Sequence, residues 1–330
     1  MAEMPLVHDT VDTLLAGVTE SELMETSGKS GAVLERVLVD GHPYVVKYLD
    51  AAGDWTMRAA GVDGGATLTV WERGLLDALP ECFRQPILGI ARDDELTTLL
   101  MEDVSAWIVP ATDEPIPLDQ HERFLDHMAA LHAEFWETTR DIDVVSPRRR
   151  YLELSPSMAE TEAALGSEAL VPRLVAQGWP LLADVAPRAA GVVVPLVHDP
   201  TPLVDALART PQTFVHGNWK LDNIGSDEDG RTVLLDWEVP GRAAGLSDLT
   251  WYLAINCRRL PTSKEEAIGC YRDALERRGV RTEGWWDTQL GLTLLGALVL
   301  FGWEKALGGY DDELAWWEDR ALAAAPLLTR

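Results

Sequence analysis

The strongest constraint on the fold is a change in hydrophobic periodicity near residues 104–118. Before it, apolar residues alternate in short runs, such as VLERVLV at 33–39 and a second run beyond a DGHP turn. Two such runs about a turn cluster predict a β-hairpin. After it, apolar residues recur at helical spacing, as in HERFLDHMAALHAEFWETT at 121–139. The sequence therefore predicts a strand-rich N-terminal lobe at 1–105 and a helical C-terminal lobe at 106–330.

Three further segments have a readable pattern. ATLTVWERGLLDAL at 66–79 has helical spacing and stops at Pro80. ELTTLLMEDV at 95–104 becomes apolar along its length and predicts a buried strand that enters a connector. LGLTLLGALVLFG at 290–302 is the most apolar stretch, but it is shorter than the ~20 residues that a bilayer span requires. We expect a buried core helix there.

The composition limits the partners of the chain. Its 54 acidic and 28 basic residues give a net charge of −26, which repels nucleic acid and anionic membranes. Cys82, Cys257 and Cys270 lie far apart and form no CxxC pair, which argues against a disulfide framework or a zinc ribbon. The N-terminal MAEMPLVHDT lacks the regions of a signal peptide. We expect a cytoplasmic protein without nucleic acid or membrane partners, and its oligomeric state is open.

A polar loop between two short apolar runs carries the candidate chemistry. FVHGNWKLDNIG at 214–225 contains His216, Asn218 and Asn223, and the following run TVLLD ends at Asp236. Phosphoryl transfer requires a cation on the phosphates, carboxylate or amide oxygens on Mg²⁺, and a group that orients the attacking hydroxyl. A carboxylate at the end of an apolar strand, beside a loop that bears an Asn, can bind such a metal ion.

A lysine inside an apolar strand is the candidate cation. Lys47 lies in VVKYL, where a charge is costly unless it is paired or functional. An edge strand would explain it without any function. Glu72, on the next predicted helix, could pair with Lys47 or could face solvent.

Taken in order, these motifs resemble the aminoglycoside phosphotransferase-like branch of the protein-kinase fold, which also contains choline, fructosamine and maltose kinases. The family loop reads HGDxxxxN where this chain has HGNWKLDN, and its metal-binding Asp matches Asp236 in DWE. LLMEDV at 99–104 looks like the hinge, and ALHAEFW at 130–136 resembles the helix that opens the second lobe. Asp248 matches an Asp that steadies the catalytic loop. The resemblance spans about residues 25–320.

The resemblance implies an α+β, protein-kinase-like two-lobed fold, with a small β-rich N-lobe and a larger helical C-lobe. It implies ATP and Mg²⁺ as cofactors and a small-molecule hydroxyl as acceptor, on an aminoglycoside-like compound, an amino sugar or another sugar. Asn223 and Asp236 would bind the metal, and the catalytic positions would be Asn218, His216 and Asp248. The implied nucleotide-binding residues are Ser27, Gly28, Ser30, Gly31, Lys47, Glu72, Met101, Glu102 and Val104.

The departure from the family pattern is Asn218, where the family has a proton-accepting Asp. An amide does not accept a proton at neutral pH, and general-base help is typically worth ~10² to 10⁴ in rate. Three interpretations are open. Asn218 is a substitution that traps a complex, or the enzyme is slow or uses another base such as Asp222, or the chain is a nucleotide-binding pseudokinase.

Two other motifs do not support a second function. GKS at 28–30 lacks the earlier glycine of a P-loop, since Leu23 stands at that position. His127 and His132 lie five residues apart, which is not the i, i+4 spacing of a helical zinc pair.

Overall fold

A computed structural model describes residues 6–24 and 31–329 of the chain. Its strands are β1 (Val7–His8), β2 (Val18–Leu23), β3 (Val33–Val39), β4 (His42–Asp50), β5 (Phe83–Arg84), β6 (Ile87–Asp93), β7 (Leu96–Glu102), β8 (Thr213–Val215), β9 (Ile224–Ser226), β10 (Thr232–Leu234) and β11 (Gly241–Ala243). Its helices are α1 (Val11–Leu14), α2 (Trp55–Ala60), α3 (Ala66–Glu72), α4 (Leu118–Glu134), α5 (Pro147–Leu152), α6 (Pro156–Ala164), α7 (Leu170–Val185), α8 (Pro187–His198), α9 (Thr201–Leu207), α10 (Leu246–Ile255), α11 (Lys264–Arg277), α12 (Trp286–Leu307) and α13 (Asp312–Ala324). Short 3-10 helices follow at Leu221–Asn223, Cys257–Arg259 and Ala325–Thr329.

The N-terminal strands form one sheet. Within the described residues it contains six strands in the order β1-β6-β7-β4-β3-β2, and β1 joins β6 in parallel while the other pairs are antiparallel. The predicted hairpin is confirmed as β3 and β4, with Val39 opposite His42. Asp40 and Gly41 take φ values of 51° and 77°, which match the turn type that joins two twisted strands. The sheet places Lys47 opposite Leu99 of β7, in the interior of the sheet rather than at its edge.

Most of the predicted helices and strands are present, with one shorter than expected. The run at 95–104 forms β7, and the pattern at 121–139 forms α4. The pattern at 66–79 was expected to be one helix, but α3 ends at Glu72. Gly74 takes a φ of 62°, a left-handed conformation that ends the helix, and the chain continues to residue 79 in turns.

The helical part of the chain is built around α12. This helix packs against α7, α13 and α10. Among the described residues it is the helix long and apolar enough to cross a membrane, yet 78% of its apolar window is buried inside the protein. The predicted core helix is therefore confirmed. Gly178 of α7 lies so close to the Trp303 backbone of α12 that a Cβ atom would overlap it.

Two short sheets hold the loop between β8 and β10. β9 and β10 form an antiparallel pair in which Gly225 lies opposite Val233, and β5 joins β10 in parallel. β11 pairs with β8 just before the loop begins. The Leu235 amide donates to the Asn223 carbonyl at 2.8 Å, so the ends of the loop and of β10 are tied together. This geometry brings Asn223 close to Asp236.

Candidate active site

His216 is a structural residue at the start of the loop. Its Nε2 donates to the Leu235 carbonyl at 2.9 Å, and its Nδ1 accepts from the Asn218 amide at 3.1 Å. Burial lowers the pKa of His216 to about 4, so the ring is neutral at neutral pH. A neutral ring with both nitrogens engaged can orient the loop but has no free nitrogen for proton transfer.

The carboxylate of Asp248, on α10, binds the backbone at the start of the loop. Its carboxylate is fully buried and accepts from the amides of His216 at 2.8 Å and Gly217 at 2.7 Å. It also accepts from Trp219 Nε1 at 3.0 Å and from His132 Nε2 at 3.2 Å. Burial acts to raise the pKa of Asp248, but these donors outweigh burial and hold the pKa below its ordinary value. The contacts are those expected of a residue that steadies the loop.

Lys47 lies in a nearly dry cluster of carboxylates. Its Nζ is 2.7 Å from Asp236 Oδ1 and 3.3 Å from Glu238 Oε1, and the Lys47 side chain is 8% exposed. Burial acts to lower the pKa of Lys47, but the two carboxylates outweigh it and raise the pKa above its usual value. The same pairing holds the pKa of Asp236 below its usual value against the effect of burial. Lys47 is therefore charged, and Asp236 is ionised.

The two carboxylates are not equivalent, because one ammonium cannot neutralise both. Burial raises the pKa of Glu238 to about 7, with Lys47 opposing the shift and Asp236 adding to it.

Asp236 has a φ of 61°, a strained conformation for a residue with a side chain, and such strain is concentrated at functional sites.

Asp54 is a third carboxylate near Lys47. Its Oδ1 caps α2 by accepting from the Thr56 and Met57 amides at 2.8 and 3.2 Å. Its Oδ2 is buried and has no hydrogen-bond partner within the described residues. Sequence reasoning did not single out Asp54, although an Asp directly before a helical segment is a readable N-cap signal.

The predicted ion pair between Lys47 and Glu72 is wrong. Glu72 is exposed at the end of α3, while the ion pairs of Lys47 in the described part of the chain are with Asp236 and Glu238. The residue of α3 that faces the site is Thr67, whose hydroxyl donates to the Trp237 carbonyl at 3.0 Å. Glu72 is five positions further on, about 140° around the helix axis.

Asn223 and Asp236 suit the donor set of Mg²⁺. Asn223 is buried and uses its Nδ2 to donate to the Asn218 carbonyl at 3.4 Å, which leaves its amide oxygen available. Asp236 uses Oδ1 for Lys47, which leaves Oδ2. Among the described residues no group of three or more His, Cys, Asp and Glu forms a metal cluster. Mg²⁺ in nucleotide sites takes one or two protein oxygens and completes its shell with phosphates and waters, so the residues fit this ion.

The predicted hinge lies along a cavity that Lys47, Asn223 and Asp236 also line. Met101, Glu102 and Val104 all line it. The Glu102 amide donates to Pro86 at 2.9 Å, and Val104 accepts from the Trp107 amide at 2.9 Å. Within residues 6–24 and 31–329 the Val104 amide itself donates no hydrogen bond. It is therefore available to a ligand.

Part of the predicted phosphate-covering segment cannot be placed. Ser27, Gly28 and Ser30 lie outside the described residues. Gly31 is described and packs against the Gly53 backbone at the turn before α2.

The cavity lined by Lys47, Asn223, Asp236, Glu238 and the predicted hinge has a volume of about 880 Å³. At one end it is bounded by β3, β4 and β7, and at the other by α7, α10 and α12. Asn218 and Lys220 line the cavity as well. Lys220, which sequence reasoning passed over, lies 2.5 Å from Asp222 Oδ2. Its position in the loop between Asn218 and Asn223 could have identified Lys220 as a candidate site residue from the sequence.

A further group missed from the sequence lies behind the loop. Arg150 of α5 donates to the Gly217 carbonyl and to Glu153. Its guanidinium also stacks 3.8 Å from the ring centroid of Trp251. Three contacts fix this arginine between the loop and α10. Nothing in the run PRRRYL distinguishes Arg150 from its neighbours.

No family model and no curated protein matches the sequence. Solved structures do match. Choline kinase LicA from Streptococcus pneumoniae is 10% identical, with a TM-score of 0.52 over 96% of each chain. A thermostable mutant of aminoglycoside phosphotransferase APH(4)-Ia, in complex with ADP and hygromycin B, is 13% identical, with a TM-score of 0.49 over 96% of this chain and 97% of that one. An aminoglycoside phosphotransferase from Ralstonia eutropha, named as such provisionally, is 14% identical, with a TM-score of 0.47 over 96% of this chain and 95% of that one.

The chain therefore has the protein-kinase-like fold of small-molecule kinases, with a β-rich N-lobe and a helical C-lobe. This confirms the fold predicted from the loop, the strand lysine and the DWE motif. At 10% identity the likeness to the choline kinase shows the fold alone.

Proposed function

We propose that this protein is an ATP-dependent phosphotransferase that moves the γ-phosphate of Mg·ATP to a hydroxyl of a small molecule. The proposal rests on one observation. Lys47 Nζ forms an ion pair with Asp236 Oδ1 at 2.7 Å, and both residues line one cavity together with Asn223 and Asn218. A strand cation, two oxygen donors and a loop residue facing an open cavity are the parts that phosphoryl transfer requires. A choline kinase with the same fold adds support.

The N-lobe end of the cavity suits the nucleotide. The free amide of Val104 can donate to an adenine ring, and Met101 and Val45 supply apolar surface beside it. Lys47 would hold the α- and β-phosphates, with its present carboxylate partners exchanging for phosphate oxygens. Ser27, Gly28, Ser30 and Gly31 would cover the phosphates. Asn223 and Asp236 would bind Mg²⁺, which neutralises charge on the phosphates when it is bound.

In the transfer step, the acceptor oxygen forms a bond to the γ-phosphorus while the bond to the β-phosphate oxygen breaks and ADP leaves. The hydroxyl proton passes from the acceptor oxygen to a non-bridging oxygen of the transferred phosphate or to solvent water. Asn218 can accept a hydrogen bond from this hydroxyl through its side-chain oxygen and thereby orient it, but it does not take the proton at neutral pH. Lys220 brings a cation to the same stretch of the cavity, where charge develops on the transferred group.

The acceptor classes expected from the sequence are an aminoglycoside-like compound, an amino sugar or another sugar. The proposal places the reaction in the cytoplasm, where ATP is available and where Cys82, Cys257 and Cys270, which form no disulfide with one another, would stay reduced.

The test is Asp236→Ala, assayed by Mg·ATP binding and by ATP consumption with a panel of hydroxylated acceptors. We expect turnover to fall below detection and Mg²⁺-dependent nucleotide binding to weaken. Asp184→Ala, an exposed aspartate on α7, is the control. Unchanged binding and turnover in Asp236→Ala would contradict the proposal.

Asn218 supports a second candidate, a nucleotide-binding pseudokinase. This candidate predicts Mg·ATP binding but no transfer, even in Asn218→Asp. The phosphotransferase predicts that this substitution raises the rate by ~10² to 10⁴, the usual contribution of a general base. Asp222→Asn separates the remaining alternative, because it lowers the rate of the unsubstituted chain only if Asp222 acts as the base.

A further inference from the structure

The acceptor end of the cavity, defined as the part lined by α7, α10 and α12, has an unusual composition for a site that would hold an amine-rich sugar. Its walls are apolar, and they are formed by Leu170, Leu174, Trp251, Ile255, Phe301 and Leu307. Leu170 and Leu307 are 47% and 38% exposed, so apolar surface continues to the rim of the cavity. Burying apolar surface is favourable only for a ligand that presents apolar surface in return.

Each carboxylate that lines the acceptor end has a cation of the protein within ion-pair distance. Glu153 accepts from Arg150, whose guanidinium also stacks on Trp251. Glu304 Oε2 lies 3.0 Å from the ammonium of Lys305, within ion-pair distance, although within the described residues this oxygen accepts no hydrogen bond.

The carboxylate of Asp222, beside the loop, is also paired with a cation of the protein. Its Oδ2 lies 2.5 Å from Lys220 Nζ. An ammonium group entering the acceptor end would lose water and would have to compete with these cations for each carboxylate. Losing hydration without a free counter-charge is unfavourable.

The charge left over at the acceptor end is positive. Arg258, in the 3-10 helix after α10, lines the cavity and is exposed. Within the described part of the chain it forms no ion pair and no side-chain hydrogen bond, although its neighbour Arg259 donates to Glu114 and Thr112. The net charge of −26 is a property of the whole surface, and salt screens it over about 10 Å.

We propose that the acceptor is an alcohol with a predominantly apolar body and no cationic group, and that Arg258 favours acceptors that also carry a carboxylate. This inference rests on the proposed phosphotransferase function and narrows its acceptor. Asn218 would orient the hydroxyl while the body lies against α7, α10 and α12. Among the acceptor classes expected from the sequence, aminoglycosides and amino sugars are then excluded, and of the other sugars only derivatives with a predominantly apolar body remain.

The experiment uses three primary alcohols that share one unbranched decane chain and end in a hydroxyl, a carboxylate or an ammonium group. Hygromycin B is added as a polycationic probe. Binding to the full chain is measured by calorimetry with Mg·ADP present, and Mg·ATP binding is measured on the same samples. We expect the hydroxyl and carboxylate probes to bind about tenfold more tightly than the ammonium probe, because the ammonium must be desolvated without a partner.

Two pairs of variants locate the binding. Leu170→Asp should weaken the binding of the hydroxyl and carboxylate probes by about fivefold or more, because it places a charge on the apolar rim. Leu165→Asp, on a leucine that is 63% exposed and outside the cavity, should not. Arg258→Ala should lower the affinity of the carboxylate probe to that of the hydroxyl probe, whereas Arg281→Ala, an exposed arginine outside the cavity, should leave it unchanged.

Failure of Mg·ATP to bind would overturn the proposed function itself. If Mg·ATP binds, tighter binding of the ammonium probe or of hygromycin B than of the hydroxyl probe would overturn the acceptor assignment alone. Absence of binding by the hydroxyl and carboxylate probes would overturn it as well.

Discussion

Lys47 Nζ and Asp236 Oδ1 are 2.7 Å apart, although the two residues are separated by 189 positions in the chain. This ion pair joins the interior of the N-terminal sheet to the segment after β10. In the free protein it therefore holds together the proposed phosphate-binding cation and the proposed metal ligand. If the proposed function holds, a nucleotide with Mg²⁺ would replace this existing ion pair, and both groups would be positioned before the ligand arrives.

Lys47→Met tests the role of this cation. Methionine keeps much of the apolar stem but removes the charge, and losing a preorganised electrostatic group costs ~10² to 10³ in rate. We expect kcat/KM for ATP, measured by ADP release, to fall by about that factor. Lys264→Met is the matched control, because Lys264 also pairs with a carboxylate, Glu313 at 2.5 Å, but lies outside the cavity. Equal losses in both variants would show that lost ion pairing, rather than phosphate binding, is responsible.

Glu238 predicts a pH dependence of stability in the ligand-free protein. Its pKa rises from 4.5 to about 7 on folding because the side chain is buried, so the folded state holds a proton that the unfolded state has lost. The contribution of Glu238 to the free energy of unfolding must then fall as pH rises between these two values. Each pKa unit corresponds to about 1.4 kcal/mol, so the total loss over the rise of about 2.5 pKa units is about 3 to 4 kcal/mol.

Glu238→Gln isolates this effect, since glutamine keeps the shape and does not titrate. We expect the wild-type protein to lose stability relative to the variant between pH 5 and pH 8, as measured by urea unfolding at several pH values. His216 titrates in the same region with the opposite sign, because burial lowers its pKa to about 4, but it is present in both proteins and cancels in the difference. A difference that does not change with pH would rule out the raised pKa.

Asp248→Asn should loosen the loop. The buried carboxylate accepts from two loop amides and from Trp219 Nε1, and an amide group would turn a donor toward at least one of these donors. Hydrogen bonds to buried charged groups contribute about 1.5 to 3 kcal/mol each, so we expect a loss of about 3 kcal/mol in the free energy of unfolding. Urea unfolding measures it, with the exposed Asp184→Asn as control. A loss no larger than in the control would contradict the contacts described.

The fold was predictable from local patterns that follow the geometry of the chain. The alternation at 33–39 and the DGHP turn predict the hairpin because side chains on a strand alternate between its faces. The apolar run at 290–302 predicts a buried helix by its length and composition. The extent of α3 was not predictable from periodicity, since the apolar spacing continues past Glu72 while Gly74 ends the helix.

The candidate site was predictable where its residues form one sequence motif. Asn218, Asn223 and Asp236 lie on a loop and the strand that follows, so their proximity is encoded locally. The ion-pair partner of Lys47 was not predictable from the sequence. Glu72 and Glu238 could each form the pair by residue type, and only tertiary packing decides between them. Asp54, a helix cap in sequence terms, approaches Lys47 for the same reason.

The last prediction concerns the contact that sets the spacing of α7 and α12, two walls of the acceptor end. A Cβ at Gly178 would overlap the Trp303 backbone, whereas Gly191 on α8 has no atom within 4 Å of its Cβ position. Gly178→Ala must push the helices apart, and overpacking of this kind typically costs 1–3 kcal/mol, so we expect a destabilisation of about 2 kcal/mol. Gly191→Ala should instead stabilise by about 0.5 to 1 kcal/mol, since alanine is the better helix former. Thermal and urea unfolding of both variants measure this difference in sign. Equal effects would mean that α7 and α12 are not in close contact, and the apolar acceptor end would then lack the wall that Gly178 allows.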